Sequence, residues 1–178
     1  MSIKVITGPM FCGKSSQMCS EVERHHIADK SCALVKYSKD TRYESDGIKT
    51  HSGREFTFAT VYSTLLLTNI VDKLLEYDVV GIDEVQFYDD CVEVAQKLAT
   101  AGIVVICAGL DSTYLGEPFG HVGRLCCRAE KVVKLKAVCM LCKGDASFTK
   151  KIAGNNDIID IGGADKYIAV CRLCMRFE

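Results

Sequence analysis

The sequence has no excess charge of either sign. Its 22 lysines and arginines stand against 23 aspartates and glutamates, for a formal net charge of −1. A protein whose main partner is a nucleic-acid backbone normally carries a basic surplus, so the balance argues against that class. No apolar leader opens the chain, and no run of about 18 apolar residues occurs, so neither a signal peptide nor a membrane span is expected and the expected compartment is cytoplasmic. Internal repeats and low-complexity tracts are also missing. What remains is a chain of 178 residues, 48% of them hydrophobic, which suits one main domain with a sizeable core and a small appendage. Cysteine is the one residue in surplus, with eleven copies. Without a secretory signal a disulfide framework is not expected, and reduced thiols or a metal site account better for the count.

Short apolar runs alternate with helical patterns through the first hundred residues. Residues 3–7, 32–37, 79–83 and 103–106 read as strands, and residues 14–28 and 90–101 as helices, the second stopped by Gly102. Residues 61–76 place Val61, Leu65, Leu66, Ile70 and Leu74 at helical spacing, which predicts a helix. The polar, glycine-containing stretch 38–56 reads as a loop. Near-continuous apolar strands separated by helices imply a parallel sheet covered on both faces. From Asp111 onward glycine, cysteine and lysine become more frequent and the strands shorten, so a boundary is expected near residue 136, between an α/β domain (1–136) and a smaller unit (137–178).

The first strand leads straight into GPMFCGKS. The stretch from Gly8 through Pro9, Met10, Phe11, Cys12, Gly13, Lys14 and Ser15 to Ser16 fits the Gly-x4-Gly-Lys-Ser pattern of a phosphate-binding loop. A loop that passes under a polyphosphate must turn its N–H groups inward, and glycine permits the backbone angles this needs. The helix that follows aims its positive end at the anion. Lys14 adds a full charge near the β- and γ-phosphates, and the Ser15 hydroxyl suits Mg2+. Asp83 ends the run VVGID, where a parallel strand delivers residues to the ligand-binding edge of a sheet. With Glu84 beside it, one carboxylate can serve the metal while the other takes a proton from an attacking hydroxyl. If the strand continued, Glu84 would point the opposite way from Asp83.

Cys139-x2-Cys142 and Cys171-x2-Cys174 form two thiolate knuckles. Four thiolates close a tetrahedron around Zn2+ and leave no open position, so this metal would be structural. Lys136, Lys143 and Arg172 lie close enough in sequence to offset part of its negative charge. The other seven cysteines are scattered, and read as small core residues or exposed thiols. The intervening residues 143–170 hold Lys150, Lys151, the run 158–161, Gly162, Gly163 and Tyr167. A loop fastened at its base can fold over a flat ligand, and it can equally be a metal-stabilised surface loop; the residues alone do not choose. Asp40 and Arg42, in the polar loop, could reach phosphates or the metal shell, or pair with each other. His25 and His26 are adjacent on a helix, share no face, and read as surface residues.

Taken in order, GPMFCGKS, VKYSKDTRY, GIDEVQF, AGLD, VVKLKAVCMLC, ASFTK, IGGADKY and VCRLC resemble the type II thymidine kinases, the zinc-containing cytosolic and poxviral family, from Ile3 to Cys174. The resemblance implies a P-loop NTPase-like parallel sheet flanked by helices, with a small four-cysteine zinc domain carrying a lasso loop. It implies transfer of the γ-phosphoryl group of ATP, with Mg2+, to the 5′-hydroxyl of thymidine or deoxyuridine in nucleotide salvage. By matching position, Glu84 is the base, Lys14 stabilises the transferring group, Ser15 and Asp83 serve the metal, and Arg42 and Asp40 lie near phosphates and metal shell. Met10, Phe87, Leu110, Phe119, Thr149 and Tyr167 line the thymine pocket, and main-chain groups from Ile158 through Ile159 and Asp160 to Ile161 bind the base edge. Cys139, Cys142, Cys171 and Cys174 hold zinc. The family implies a homotetramer, feedback inhibition by dTTP, and no nucleic-acid or membrane partner.

The chain departs from the family pattern at several points. Cys12 replaces the frequent Ser, Ser16 the frequent Thr, and Val85 the Gly after the Asp–Glu pair. The segment from Ser112 to Glu117 lacks the usual basic residues, which bears on subunit contacts and triphosphate inhibition. Asp160 stands where an apolar residue is usual. The chain stops soon after Cys174, so a regulatory tail is not expected. Two rival classes are a P-loop hydrolase switch, which needs a water-positioning residue that the sequence does not display, and a zinc-ribbon nucleic-acid module, which the charge disfavours.

Overall fold

The computed structural model describes residues 1–39, 48–49, 55–155, 157–158, 160 and 162–176. Its centre is a six-stranded sheet built from β1 (Ser2–Thr7), β2 (Cys32–Tyr37), β5 (Thr60–Thr64), β6 (Val79–Ile82), β7 (Val104–Ala108) and β8 (Lys131–Lys134). The strand order is β5-β2-β6-β7-β1-β8, and every pairing is parallel. Two short strands, β3 (Ile48–Lys49) and β4 (Glu55–Phe56), pair antiparallel to one another outside the sheet.

Both faces of the sheet are covered, which is why its strands are apolar on successive residues rather than alternate ones. One face receives α1 (Lys14–Ile27), whose Met18, Cys19 and Val22 pack with Ile6, Leu34, Val79 and Ile106. The other receives α2 (Val71–Leu74), α3 (Cys91–Thr100) and α4 (Val122–Cys126), with Leu74, Val94, Leu98, Val122 and Leu125 against Val5, Val35, Val80 and Val105. Gly81 lets α1 sit close, since a Cβ there would lie 2.7 Å from Leu34 Cδ2 and 3.0 Å from Val22 Cγ2.

The helix predicted over 61–76 is not what forms. Residues 60–64 are strand β5, paired along its whole length with β2, from Ala33 opposite Thr60 to Tyr37 opposite Thr64. Helical structure follows only as a 3-10 turn at Leu67–Asn69 and the single turn of α2. The leucine spacing suggested one stripe, yet Leu65 and Leu66 are 45% and 43% exposed while Leu74 is fully buried. The β-branched and aromatic run Thr-Val-Tyr-Ser-Thr favours a strand, and pairing with β2 satisfies its backbone.

After β8 the chain forms two small antiparallel pairs. β9 (Ala137–Val138) pairs with β10 (Asp145–Ala146), and β11 (Phe148–Lys151) with β12 (Tyr167–Val170), followed by α5 (Arg172–Met175). Ala137, Cys139, Ala146, Ala169 and Val170 make their own small core. Among the described residues no helix is long and apolar enough to cross a membrane.

Candidate active site

β1 ends at Thr7, and the next residues turn sharply. Gly8 has φ 135° and Gly13 φ 84°. A Cβ on Gly8 would also lie 2.5 Å from the Leu135 carbonyl oxygen, so angle and space both require glycine there. α1 begins at Lys14, directly after Gly13, and its free N–H groups face the loop. Lys14 folds back over that loop, Nζ donating to the Pro9 carbonyl at 2.7 Å and lying 3.8 Å from Cys12 Sγ. The segment Gly8–Ser16 therefore has the shape that the sequence pattern anticipates.

β6 ends at Ile82 and hands Asp83 to the same edge. Ser15 Oγ donates to Asp83 Oδ1 at 2.9 Å, and the Glu84 N–H donates to the same oxygen at 3.0 Å. Burial pushes the Asp83 carboxyl up to about 7, and the neighbouring Glu84 charge adds to the rise; the bonds from Ser15 and the Glu84 N–H and the charge of Lys14 oppose it. Adjacent hydroxyl and carboxylate oxygens at the head of a phosphate-binding loop are a hard donor set that fits Mg2+.

The strand does not continue through Glu84. That residue takes the left-handed conformation, φ 50° and ψ 43°, and a 3-10 turn Val85–Phe87 begins after it. Its Oε2 accepts from Gln86 Nε2 at 2.6 Å. Gln86 Oε1 in turn accepts from the Leu110 N–H at 3.0 Å, beyond the end of β7. Gln86 also lines a cleft of about 590 Å3, together with Tyr37, Phe87, Thr113, Leu115 and Phe119. The Tyr37 and Phe87 rings lie 5.0 Å apart, and Phe119 meets Phe87 edge-on at 5.8 Å. Such a volume, with aromatic walls and a few polar groups, suits a small flat ligand.

The C-terminal hairpin joins the phosphate-binding loop directly, because Met10 N–H donates to Thr149 Oγ1 at 3.0 Å. Beyond β11 the chain returns to the cleft, where Ile158 forms part of the wall. The Tyr167 hydroxyl donates to the Asp160 carbonyl at 2.8 Å. The Asp160 carboxylate pairs with Lys151 at 2.9 Å and with Lys166. Both cations hold it below the usual carboxylate range. Lys151 Nζ also lies 5.0 Å from the Tyr114 ring centre and 5.7 Å from that of Tyr167.

Of the residues assigned to the base pocket, Phe87, Phe119 and Ile158 line the cleft. Met10, Thr149 and Tyr167 are buried in or beside the junction of loop and hairpin. Leu110 contributes its N–H to Gln86, and Asp160 turns its carboxylate to two lysines. Asp40, Arg42, Ile159 and Ile161 lie outside the described residues. Sequence reasoning passed over Gln86 and Tyr37. Gln86 had one available signal, its place two residues after Glu84 inside GIDEVQF.

Cys139, Cys142, Cys171 and Cys174 converge, with all four sulfurs within 4.8 Å of one another and Cys142 Sγ 3.6 Å from Cys171 Sγ. A tetrahedron with Zn–S bonds of about 2.3 Å has sulfur–sulfur edges of about 3.8 Å, so the cluster fits Zn2+. The knuckle is shaped by its backbone: Cys139 N–H donates to the Gly144 carbonyl at 2.7 Å and Lys143, at φ 66°, donates to the Cys139 carbonyl at 2.9 Å. Of the other seven cysteines, Cys19, Cys32, Cys91 and Cys107 are buried, and Cys127 is exposed.

The thymidine kinase family profile matches residues 1–175. Over 176 residues the chain is 43% identical to the thymidine kinase of Sheeppox virus (strain KS-1), covering 99% of this chain and 97% of that one. Over 172 residues it is 45% identical to the cytosolic thymidine kinase of Homo sapiens, covering 97% of this chain and 72% of that one. Among solved structures, the flagellar accessory protein FlaH from Methanocaldococcus jannaschii superposes with a TM-score of 0.53 at 13% identity, over 88% of this chain and 74% of that chain, a likeness of fold alone. The chain, with its glycine-rich loop, adjacent carboxylates and four-cysteine cluster, thus belongs to the thymidine kinase family.

Proposed function

We propose that the chain transfers the γ-phosphoryl group of ATP to the 5′-hydroxyl of thymidine, and of deoxyuridine, as a pyrimidine salvage kinase. The observation that carries this reading is the placement of Glu84 between two parts of one site. Asp83 and Ser15 join it to the phosphate-binding loop, and Gln86 joins it to the wall of the aromatic cleft.

The polyphosphate lies on the N–H groups of Gly8 to Ser16, with Lys14 moving from the Pro9 carbonyl to the transferring group. Ser15 and Asp83 would hold Mg2+, which would supply positive charge to offset that of the polyphosphate. Glu84 accepts the proton of the 5′-hydroxyl as that oxygen bonds to the γ-phosphorus; the bond to the β–γ bridging oxygen breaks and ADP leaves. Asp40 and Arg42 assist at the phosphates and the metal shell. The base sits among Phe87, Phe119, Met10, Leu110, Thr149 and Tyr167, with the main chain of residues 158–161 against its edge. Discrimination of a single methyl group is worth only about 1–3 kcal/mol, so deoxyuridine is accepted too. Zinc on Cys139, Cys142, Cys171 and Cys174 fastens the base of residues 143–170, and the two units divide at residue 136. By the family resemblance the active form is a cytoplasmic homotetramer inhibited by dTTP.

The test is ADP release with and without thymidine, for the parent enzyme and for Glu84→Gln. Thymidine-dependent release that falls roughly 100-fold or more in the variant, with ATP and thymidine binding retained, supports the reading. Release that ignores thymidine points to a hydrolase, and near-normal turnover in Glu84→Gln removes Glu84 as the base.

A further inference from the structure

Asp157, Ile158 and Asp160 belong to no strand or helix, yet Ile158 forms part of the cleft wall. Strand pairing does not fix these three residues, so side-chain contacts decide where they sit. Lys151, at the end of β11, supplies two of those contacts. Its Nζ donates to the Asp157 carbonyl at 3.3 Å and pairs with the Asp160 carboxylate at 2.9 Å, so one ammonium group holds the chain on both sides of Ile158. Lys166, just before β12, pairs with the other Asp160 oxygen, and the Tyr167 hydroxyl donates to the Asp160 carbonyl at 2.8 Å. The Asp160 and Lys151 side chains are each 9% exposed, and charges so little exposed are retained only when paired. Gly154, at φ 101°, leaves the room, for a Cβ there would run into Asp160 Oδ2. Lys151 Nζ also stands 5.0 Å from the centre of the Tyr114 ring, whose chain neighbours Thr113 and Leu115 line the same cleft.

We propose that Asp160 is a positioning residue for the nucleoside: clasped between Lys151 and Lys166, its carboxylate holds Ile158 in the cleft wall and so sets the affinity for thymidine. The inference rests on the cleft being the nucleoside site. The sequence pattern makes this clasp a property of the chain's own residues, because an apolar side chain at position 160 could pair with neither lysine. The clasp joins three pieces that are distant in the chain or separately folded: the end of β11, the start of β12 and the segment that carries Tyr114. Releasing it frees the wall without touching the phosphate-binding loop. The expected defect therefore falls on thymidine and spares ATP.

The test is a double-substitution cycle on the full enzyme, combining Asp160→Asn with Lys151→Met. Amide exchange of the free protein reads the clasp itself. The Ile152 and Ala153 N–H groups donate to the Lys166 carbonyl at 2.8 and 3.4 Å, and in Asp160→Asn they should exchange roughly fivefold faster or more. Kinetics read the consequence: KM for thymidine should rise roughly tenfold or more, while kcat and KM for ATP stay within about twofold. Lys151→Met should act in the same way, and the double variant should be no more than about twofold worse than either single one, because both remove one clasp. An unchanged KM for thymidine would overturn the proposal even if exchange quickened. Equal rises in KM for thymidine and ATP would also overturn it, since they would mark general support of the fold, and so would losses that multiply in the double variant. Should Asp160→Asn fail to fold, Asp160→Val takes its place in the cycle, removing the charge without leaving an amide to satisfy. A parent enzyme whose ADP release ignores thymidine would defeat the kinase reading and the positioning role together, a result distinct from failure of the cycle in an active enzyme.

Discussion

The contact between Met10 and Thr149 is where the phosphate-binding loop and the C-terminal hairpin can be uncoupled by one substitution. Thr149→Val keeps shape and volume but deletes the oxygen that accepts the Met10 N–H at 3.0 Å. Thr149 is 4% exposed and Met10 9% exposed, so water has little access to the orphaned N–H. A buried donor left without a partner costs about 1–3 kcal/mol. For a chain of this size that corresponds to a fall in Tm of roughly 2–12 °C. Thr149→Ser is the control: it keeps the acceptor and loses one methyl group, worth about 0.8 kcal/mol. Thermal unfolding followed by circular dichroism orders the three proteins, with Val below Ser and Ser below the parent. Steady-state kinetics provide a second reading. Because the bond connects the loop Gly8–Ser16 to the strand leading into the cleft wall, the Val variant should raise KM for thymidine as well as lower Tm. A Val variant as stable as the parent would refute the reasoning, for it would show that the loop and the hairpin are not joined through this bond.

Two further outcomes follow from the site. The purified chain should carry one zinc, and Cys171→Ser should lower both zinc content by metal analysis and Tm, with thymidine binding weakened before ATP binding; unchanged Tm in metal-free protein would exclude a structural role. Stability should also depend on pH through Asp83. Its carboxyl is raised in the folded state from 3.8 to about 7, so the folded form holds the proton longer than the unfolded chain does. The penalty is absent below about pH 4, grows as pH rises toward 7, and is complete above it. In Mg2+-free buffer, urea unfolding should show a smaller loss of stability across that window for Asp83→Asn than for the parent; identical slopes would mean that Asp83 ionises normally.

The parts of the site that could be read in the sequence are those set by local backbone chemistry. Gly8 and Gly13 are where positive φ is needed, and Lys14 and Ser15 open the helix, so eight consecutive residues carry the whole signal. The cysteine pairs were legible for the same reason, since a knuckle is a local turn and only the meeting of the two knuckles is long-range. Asp83 was legible as the end of an apolar run. The stretch 60–76 was misjudged because its leucines repeat at helical spacing by coincidence; β5 exists through pairing with β2, more than twenty residues earlier, which no window over 60–76 contains. Gln86 and Tyr37 were missed on similar grounds. Gln86 gains meaning only from Leu110, and Tyr37 only from Phe87, across distances along the chain that periodicity does not span.

The break in β6 is what allows two neighbouring carboxylates to serve different ends. In a continuing strand, Asp83 and Glu84 would project to opposite faces, and one of them would enter the core. In a simple turn they would face the same solvent and repel. Here the left-handed conformation at Glu84, a strain of about 1–3 kcal/mol for a residue with a side chain, separates their partners instead. One Asp83 oxygen takes the Ser15 hydroxyl and the Glu84 N–H, while a Glu84 oxygen takes the Gln86 amide. The mutual repulsion still appears, in the raised Asp83 carboxyl, and it is the kind of repulsion that a divalent cation at Ser15 and Asp83 would relieve. The left-handed turn at Glu84 therefore gives two neighbouring carboxylates separate donors, the Ser15 hydroxyl and the Glu84 N–H for Asp83 and the Gln86 amide for Glu84.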